Sequence, residues 1–160
     1  MIPSRRPSTT PVPLIIPALL VAATSTSILS TDLYTPSLPH LTNYFETSAE
    51  TVQLTMSLNL AGFGMAQLVY GPLSDYLGRR PVLLGGMFCF AVASLVCAFA
   101  YSIEILILAR VLQGITACAE TVVGLAIIRD LYNEKDSVRV LAAYGMATAV
   151  TPAVGPLIGG

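Results

Sequence analysis

Charge is the scarcest commodity in these 160 residues: Asp, Glu, Lys and Arg make up 11% of the chain, against 54% hydrophobic residues. A soluble domain is roughly a quarter charged. Tryptophan is absent, and the one histidine, His40, falls in a connecting segment. With no nucleophile–base set and no phosphate-binding loop, nothing points to an enzyme, and neither a cofactor nor a metal is expected. No basic stripe or aromatic platform offers a surface to nucleic acid. Cysteines are few, at Cys89, Cys97 and Cys118. All three sit in apolar runs without metal-ligand or redox spacing, which suits small packing residues. The net charge of −1 says little about partners.

What the chain does have is length of apolar sequence. A helix needs about 20 apolar residues to cross the hydrocarbon layer. Five runs approach that length, at about 14–34, 52–70, 81–101, 103–128 and 138–160. Helices are the expected spanning form, because each satisfies its own backbone hydrogen bonds, and the alternating ten-residue pattern of a membrane barrel is missing. The expected fold is therefore an all-α membrane protein. Residues 1–13, with Pro3, Pro7, Pro11 and Pro13 among Ser, Thr and Arg, read as a disordered tail. A basic start before an apolar run also fits a signal peptide, but four further runs favour a retained first helix.

The basic residues set the direction. Arg5 and Arg6, Arg79 and Arg80, and Arg129, Lys135 and Arg139 all fall on one side if the spans alternate. The segments on the other side, about 35–51 and 102–104, contain no Lys or Arg. The positive-inside rule then makes the tail cytoplasmic.

Asp32, Arg110 and Glu120 lie within the apolar runs. Each costs about 2.5–3.5 kcal/mol at a helix centre on insertion scales, so each marks a functional site facing a cavity, or a structural ion pair. Asp32 lies about 27 Å along the first run and Arg110 about 10 Å into the fourth, which enters from the same outer side. A direct or water-bridged pair between them is as expected as its absence. Desolvation favours a neutral carboxyl and a nearby guanidinium favours a charged one, so Asp32 could load and release a proton, and a cationic substrate would compete for it. Glu120 shares a face with Gln113 and Ala117. It is either a second proton or cation site or a residue snorkelling to the cytoplasmic surface.

Two stripes read as helix contacts built from small residues. One comprises Gln53, Ser57, Leu60, Gly64, Gln67 and Gly71; the other Gly85, Cys89, Ala93, Val96 and Ala100. Thr24, Ser25, Thr26 and Ser27 make the first run rich in hydroxyls, as a wetted face requires.

Five strings carry a resemblance. Residues 71–83, GPLSDYLGRRPVL, place Gly71, Asp75, Gly78, Arg79 and Arg80 in a short loop. This resembles the loop motif G-x-L-a-D-r-x-G-r-k-x-x-l of the major facilitator superfamily, with Tyr76 where a basic residue is common. Residues 106–118, LILARVLQGITAC, resemble that family's fourth-helix motif through Arg110, Gln113 and Gly114, with Thr116 replacing a glycine. Residues 142–160 resemble its fifth-helix antiporter motif through Gly155, Pro156, Gly159 and Gly160, with Ala142 and Thr151 where glycines are expected. Residues 31–41, TDLYTPSLPHL, and 126–132, AIIRDLY, are similar to the bicyclomycin/chloramphenicol-resistance (Bcr/CflA) branch of drug:proton antiporters.

The resemblance implies two six-helix halves around a cavity with alternating access, located in a bacterial inner membrane. It implies export of small hydrophobic or cationic drugs in exchange for protons, with Asp32, Arg110 and Glu120 as coupling residues. The partners would be the lipid bilayer, a drug, protons and a C-terminal half that these five helices do not supply, so a partial chain is expected. The alternatives are an importer of a sugar or metabolite within the same superfamily, and a non-transporting membrane interaction protein.

Overall fold

Three helix starts along this chain are marked by short polar side chains that cap free backbone N–H groups. A computed structural model describes the backbone of residues 15–159 and the side chains of residues 15–151. The tail expected at residues 1–13 and Gly160 lie outside the described residues. The helices are α1 (Ile15–Asp32), α2 (Leu38–Tyr44), α3 (Ala49–Leu77), α4 (Arg79–Ala98), α5 (Ile103–Leu131) and α6 (Glu134–Gly159). Ser48 accepts from the Thr51 N–H at 3.2 Å, Ser102 from Ile105 at 3.4 Å, and Asn133 from Asp136 at 3.0 Å. No strand occurs among the described residues, and the fold is all-α with five long helices.

The segment Ile15–Tyr44, α4 and α5 are each long and apolar enough to cross a membrane. Among the described residues α3 and α6 fall short of that apolarity. In α3 the reason is its many amide and hydroxyl side chains. It also outruns its apolar core, from Ala49 to Leu77 rather than Val52 to Tyr70, and continues through Pro72. It stops at Gly78, whose φ of +93° lies where L side chains are strained. The connection after α1 is itself helical. Pro36 and Pro39 stand at the first positions of a 3-10 turn (Thr35–Ser37) and of α2, where a missing N–H is harmless.

The molecule is inverted relative to a soluble protein. Met65, Leu68, Phe88, Phe99 and Leu108 face outward, while Thr55, Asn59, Arg110, Gln113, Thr116 and Glu120 are buried. A wide apolar exterior of this kind suits contact with lipid. Helix α5 is the central post, packed on α1, α3, α4 and α6. It approaches α3 so closely at Gly114 that a Cβ there would overlap the carbonyl of Asn59. At α4, a Cβ on Gly86 would stand 2.5 Å from the Cβ of Ala119.

Both expected contact stripes lie mostly one residue off the faces that pack. On α3 the buried set is Val52, Thr55, Asn59, Gly62 and Ala66, whereas Gln53, Ser57, Leu60, Gly64 and Gln67 are exposed. On α4 it is Val82, Gly86, Phe90 and Ala93, whereas Gly85, Cys89 and Val96 are exposed. Small residues occur on both faces of these helices, and apolarity does not separate a lipid-facing side from a packed one.

Helix α1 is tied to its neighbours by hydroxyls. Thr24 and the Tyr144 hydroxyl of α6 lie 2.6 Å apart, and Thr151 of α6 donates to Ser25 at 3.2 Å. Beneath them Leu20, Ile128 and Tyr144 form an apolar core.

Candidate functional site

Two polar centres lie along α5, because Arg110, Gln113 and Glu120 fall on the sides of this helix that the bundle encloses. Arg110 is 5% exposed. Its Nη1 donates to Gln113 Oε1 at 3.0 Å, one turn along the same helix. Its guanidinium carbon lies 3.5 Å from the ring centroid of Tyr34, just past the end of α1. A desolvated cation over an aromatic face is stabilised by about 2 kcal/mol, which offsets part of the burial cost. Asn59 Nδ2 of α3 donates to the Arg110 carbonyl at 2.7 Å, where the glycine at position 114 lets the two helices meet.

Gln113 is the junction of three helices. Its amide nitrogen donates to Ser30 Oγ of α1 at 3.0 Å and to Ser94 Oγ of α4 at 2.9 Å.

Asp32 and Arg110 are not ion-paired. Among the described residues the ion pairs are those of Arg79 alone. Asp32 Oδ2 and Arg110 Nε are instead buried atoms without a hydrogen-bond partner. Such atoms are uncommon and costly in a folded protein. Asp32 lines a cavity of about 340 Å³ between α1, α3, α4, α5 and α6. Its walls combine Thr24, Ser27, Thr31, Asn59 and Gln113 with Phe63, Phe90 and Tyr144. An apolar, aromatic hollow with a few convergent polar groups is the usual form of a small-molecule site.

Glu120 does not reach for the cytoplasmic surface: it is 3% exposed. Ser27 Oγ donates to its Oε2 at 2.5 Å, and Ser27 also lines the cavity. Thus the second buried carboxyl connects to the hollow through one hydroxyl. No group of three or more metal-ligating side chains gathers among the described residues.

At the far end of the bundle Arg79 joins three helix ends. Nη1 lies 2.6 Å from Asp75 Oδ1 of α3 and donates to Ser74 Oγ at 2.5 Å, while Nε donates to Asp130 Oδ2 of α5 at 3.0 Å. Both carboxylates are more than half exposed, so each pair is worth no more than about 1 kcal/mol. Arg80 is exposed, and a Cβ at Gly71 would meet nothing within 4 Å. Gly71 therefore serves no close approach here. Gly155, Pro156 and Gly159 fall within α6, but their side-chain surroundings lie outside the described residues, as does Gly160.

Reading the sequence alone missed Tyr34, Ser30, Ser94 and Asp130, whereas Ser27 belongs to the hydroxyl-rich stretch expected to be wetted. Only Tyr34 and Asp130 carried a signal, since each stands inside a string with family resemblance. The serines have none, because a serine in a membrane helix usually bonds its own preceding turn, as Ser94 also does to the Phe90 carbonyl.

Comparison with known proteins shows what this chain is similar to. A chloramphenicol resistance protein of Pseudomonas aeruginosa is 43% identical over 132 residues, covering 82% of this chain and 32% of that protein. The multidrug transporter MdfA of Escherichia coli O6:H1 is 33% identical over 146 residues, covering 91% of this chain and 36% of the relative. Multidrug resistance protein D of Escherichia coli strain K12 is 33% identical over 142 residues, 89% of this chain and 36% of its own length. The chain thus spans about one third of the length of the curated relatives it matches. The family model described as Major Facilitator Superfamily matches residues 20–160, which takes in the cavity, Arg110, Gln113 and the Arg79 cluster, and the chain belongs to the major facilitator superfamily of membrane transporters.

Proposed function

We propose that this chain forms part of a proton-driven exporter of small hydrophobic or cationic drugs, placed in a bacterial inner membrane with its N-terminus in the cytoplasm. The observation that carries the reading is Asp32. Its carboxyl faces a 340 Å³ aromatic-walled cavity, one of its oxygens has no partner, and the nearest candidate cation on α5 is engaged elsewhere. A carboxylate with a buried oxygen that accepts no hydrogen bond leaves an acceptor position open to a proton or a cationic ligand. Export follows if the two compete for Asp32 and the site opens alternately to each side.

Glu120, linked to the same hollow through Ser27, adds a second proton-carrying carboxyl. Arg110 resets Asp32 when the proton or cargo leaves. The Arg79 cluster braces one conformational state at the cytoplasmic helix ends; its weak, exposed pairs suit a contact that must break in each cycle. Gly155, Pro156, Gly159 and Gly160 shape α6. A second six-helix half supplies the opposite wall of the pathway. The names of the relatives, which concern chloramphenicol and multidrug resistance, support the substrate class.

The test is Asp32→Asn in the natural gene product, with drug efflux from cells driven by an imposed pH gradient. Loss of efflux at unchanged expression is the expected result. Undiminished drug resistance in that variant removes Asp32 from the mechanism.

A further inference from the structure

Two buried atoms of opposite character stand without partners near the same end of α1: Oδ2 of Asp32 and Nε of Arg110. Each would satisfy the other. The guanidinium lies instead on Tyr34, two residues beyond Asp32. The Arg110 guanidinium carbon lies 3.5 Å from the Tyr34 ring centroid.

The ring is itself fixed from the opposite side. Its hydroxyl lies 2.8 Å from Thr55 Oγ1 on α3. Thr55, fully buried, gives its single hydroxyl hydrogen to the Val52 carbonyl at 2.6 Å. The Tyr34 hydroxyl is therefore the donor of the pair. Gln113 completes the clasp by accepting from Arg110 Nη1, and it is held by serines on two other helices.

Other titratable groups do not explain the separation. The cavity that Asp32 faces holds one more, Tyr144 from α6, and none from α3 or α4. Around Arg110 the titratable neighbours are Tyr34 and Cys97 of α4.

We infer that Tyr34 is a positioning residue that parks the Arg110 guanidinium on its ring and so keeps the Asp32 carboxyl open to a cationic ligand. The inference rests on the reading of Asp32 as the cation-accepting group and deepens it. Without the ring, Arg110 swings to Asp32 and competes with the cargo as a built-in cation. Neutral cargo, which makes no use of the carboxylate charge, is indifferent to that swing.

The experiment measures equilibrium binding of two probes to the purified natural gene product in detergent: the lipophilic cation tetraphenylphosphonium and the neutral drug chloramphenicol. Tyr34→Leu should weaken the cation about tenfold or more, the scale of a hydrogen bond to a charged group, with chloramphenicol unchanged. Tyr34→Phe keeps the ring and should stay within about twofold. Adding Arg110→Gln to Tyr34→Leu should restore cation binding, a rescue that a collapsed cavity would not permit. Should Tyr34→Leu fail to fold, Thr55→Val, which removes only the ring's anchor, should shift the cation alone in the same direction.

Equal loss of both probes, or no rescue by Arg110→Gln, overturns the inference. If Asp32→Asn abolishes cation binding while Tyr34→Leu leaves it intact, the role of Tyr34 falls and that of Asp32 stands. If Asp32→Asn leaves cation binding intact, the reading of Asp32 falls.

Discussion

Replacing Gly114 with alanine adds one methyl group at the tightest crossing in the bundle. The added Cβ would overlap the carbonyl of Asn59. That atom is backbone, in the middle of a 29-residue helix, so no rotamer change can clear it and α3 must shift as a body. The shift also strains the 2.7 Å bond from Asn59 to the Arg110 carbonyl. Overpacking of this kind costs about 1–3 kcal/mol. Gly85, on the exposed face of α4, is the internal control, because a Cβ there meets nothing within 4 Å. Alanine in an unobstructed helical position gains about 0.5–1 kcal/mol over glycine. Both glycines lie inside helices and share that gain, so the two substitutions should differ by the overpacking cost, about 1–3 kcal/mol. Thermal unfolding of the purified protein in detergent, followed by the fraction remaining monodisperse, reads this gap. A Gly114→Ala protein as stable as Gly85→Ala would mean that α3 and α5 do not cross at this distance.

Gln113→Leu should destabilise by about 2–4 kcal/mol in the same assay, because it strips partners from Arg110, Ser30 and Ser94 at once; a neutral result would deny the junction. Cys118 is fully buried and Cys89 exposed, so a small thiol reagent in detergent should modify Cys89 in the folded protein and Cys118 only after unfolding. Equal rates at the two positions would place Cys118 elsewhere. The loss of proton-driven efflux expected for Asp32→Asn and the cation-selective defect expected for Tyr34→Leu complete the set.

The number of long helices and the enclosed position of Arg110 and Gln113 were legible in the sequence for physical reasons. A run of some 20 apolar residues has few other uses, and a buried guanidinium within one demands compensation. The identity of that compensation was not legible. Asp32 is the formal counter-charge, yet the partner is an aromatic face two residues on, and nothing in spacing along a chain distinguishes the two. The packed faces of α3 and α4 were displaced by one residue for a related reason. In water the hydrophobic stripe of a helix points to the core, whereas Met65 and Leu68 point outward here while Asn59 and Thr55 point in. Asp130 escaped notice because its partner, Arg79, is far back in sequence and becomes its neighbour only when α5 has returned across the bundle.

The hydroxyl links of α1 have a mechanical consequence. Thr24, Ser25, Ser27 and Ser30 each fasten this helix to another through a group that rotates freely and both gives and takes a hydrogen. Thr26 bonds the Ala22 carbonyl one turn earlier, which shows where a hydroxyl turns when released. Detaching α1 therefore strands few dipoles in oil, since the freed serines and threonines fold back onto their own backbone. The helix is held by snaps rather than bolts, with one exception: releasing Ser27 also takes from Glu120 the one hydroxyl bonded to its carboxyl.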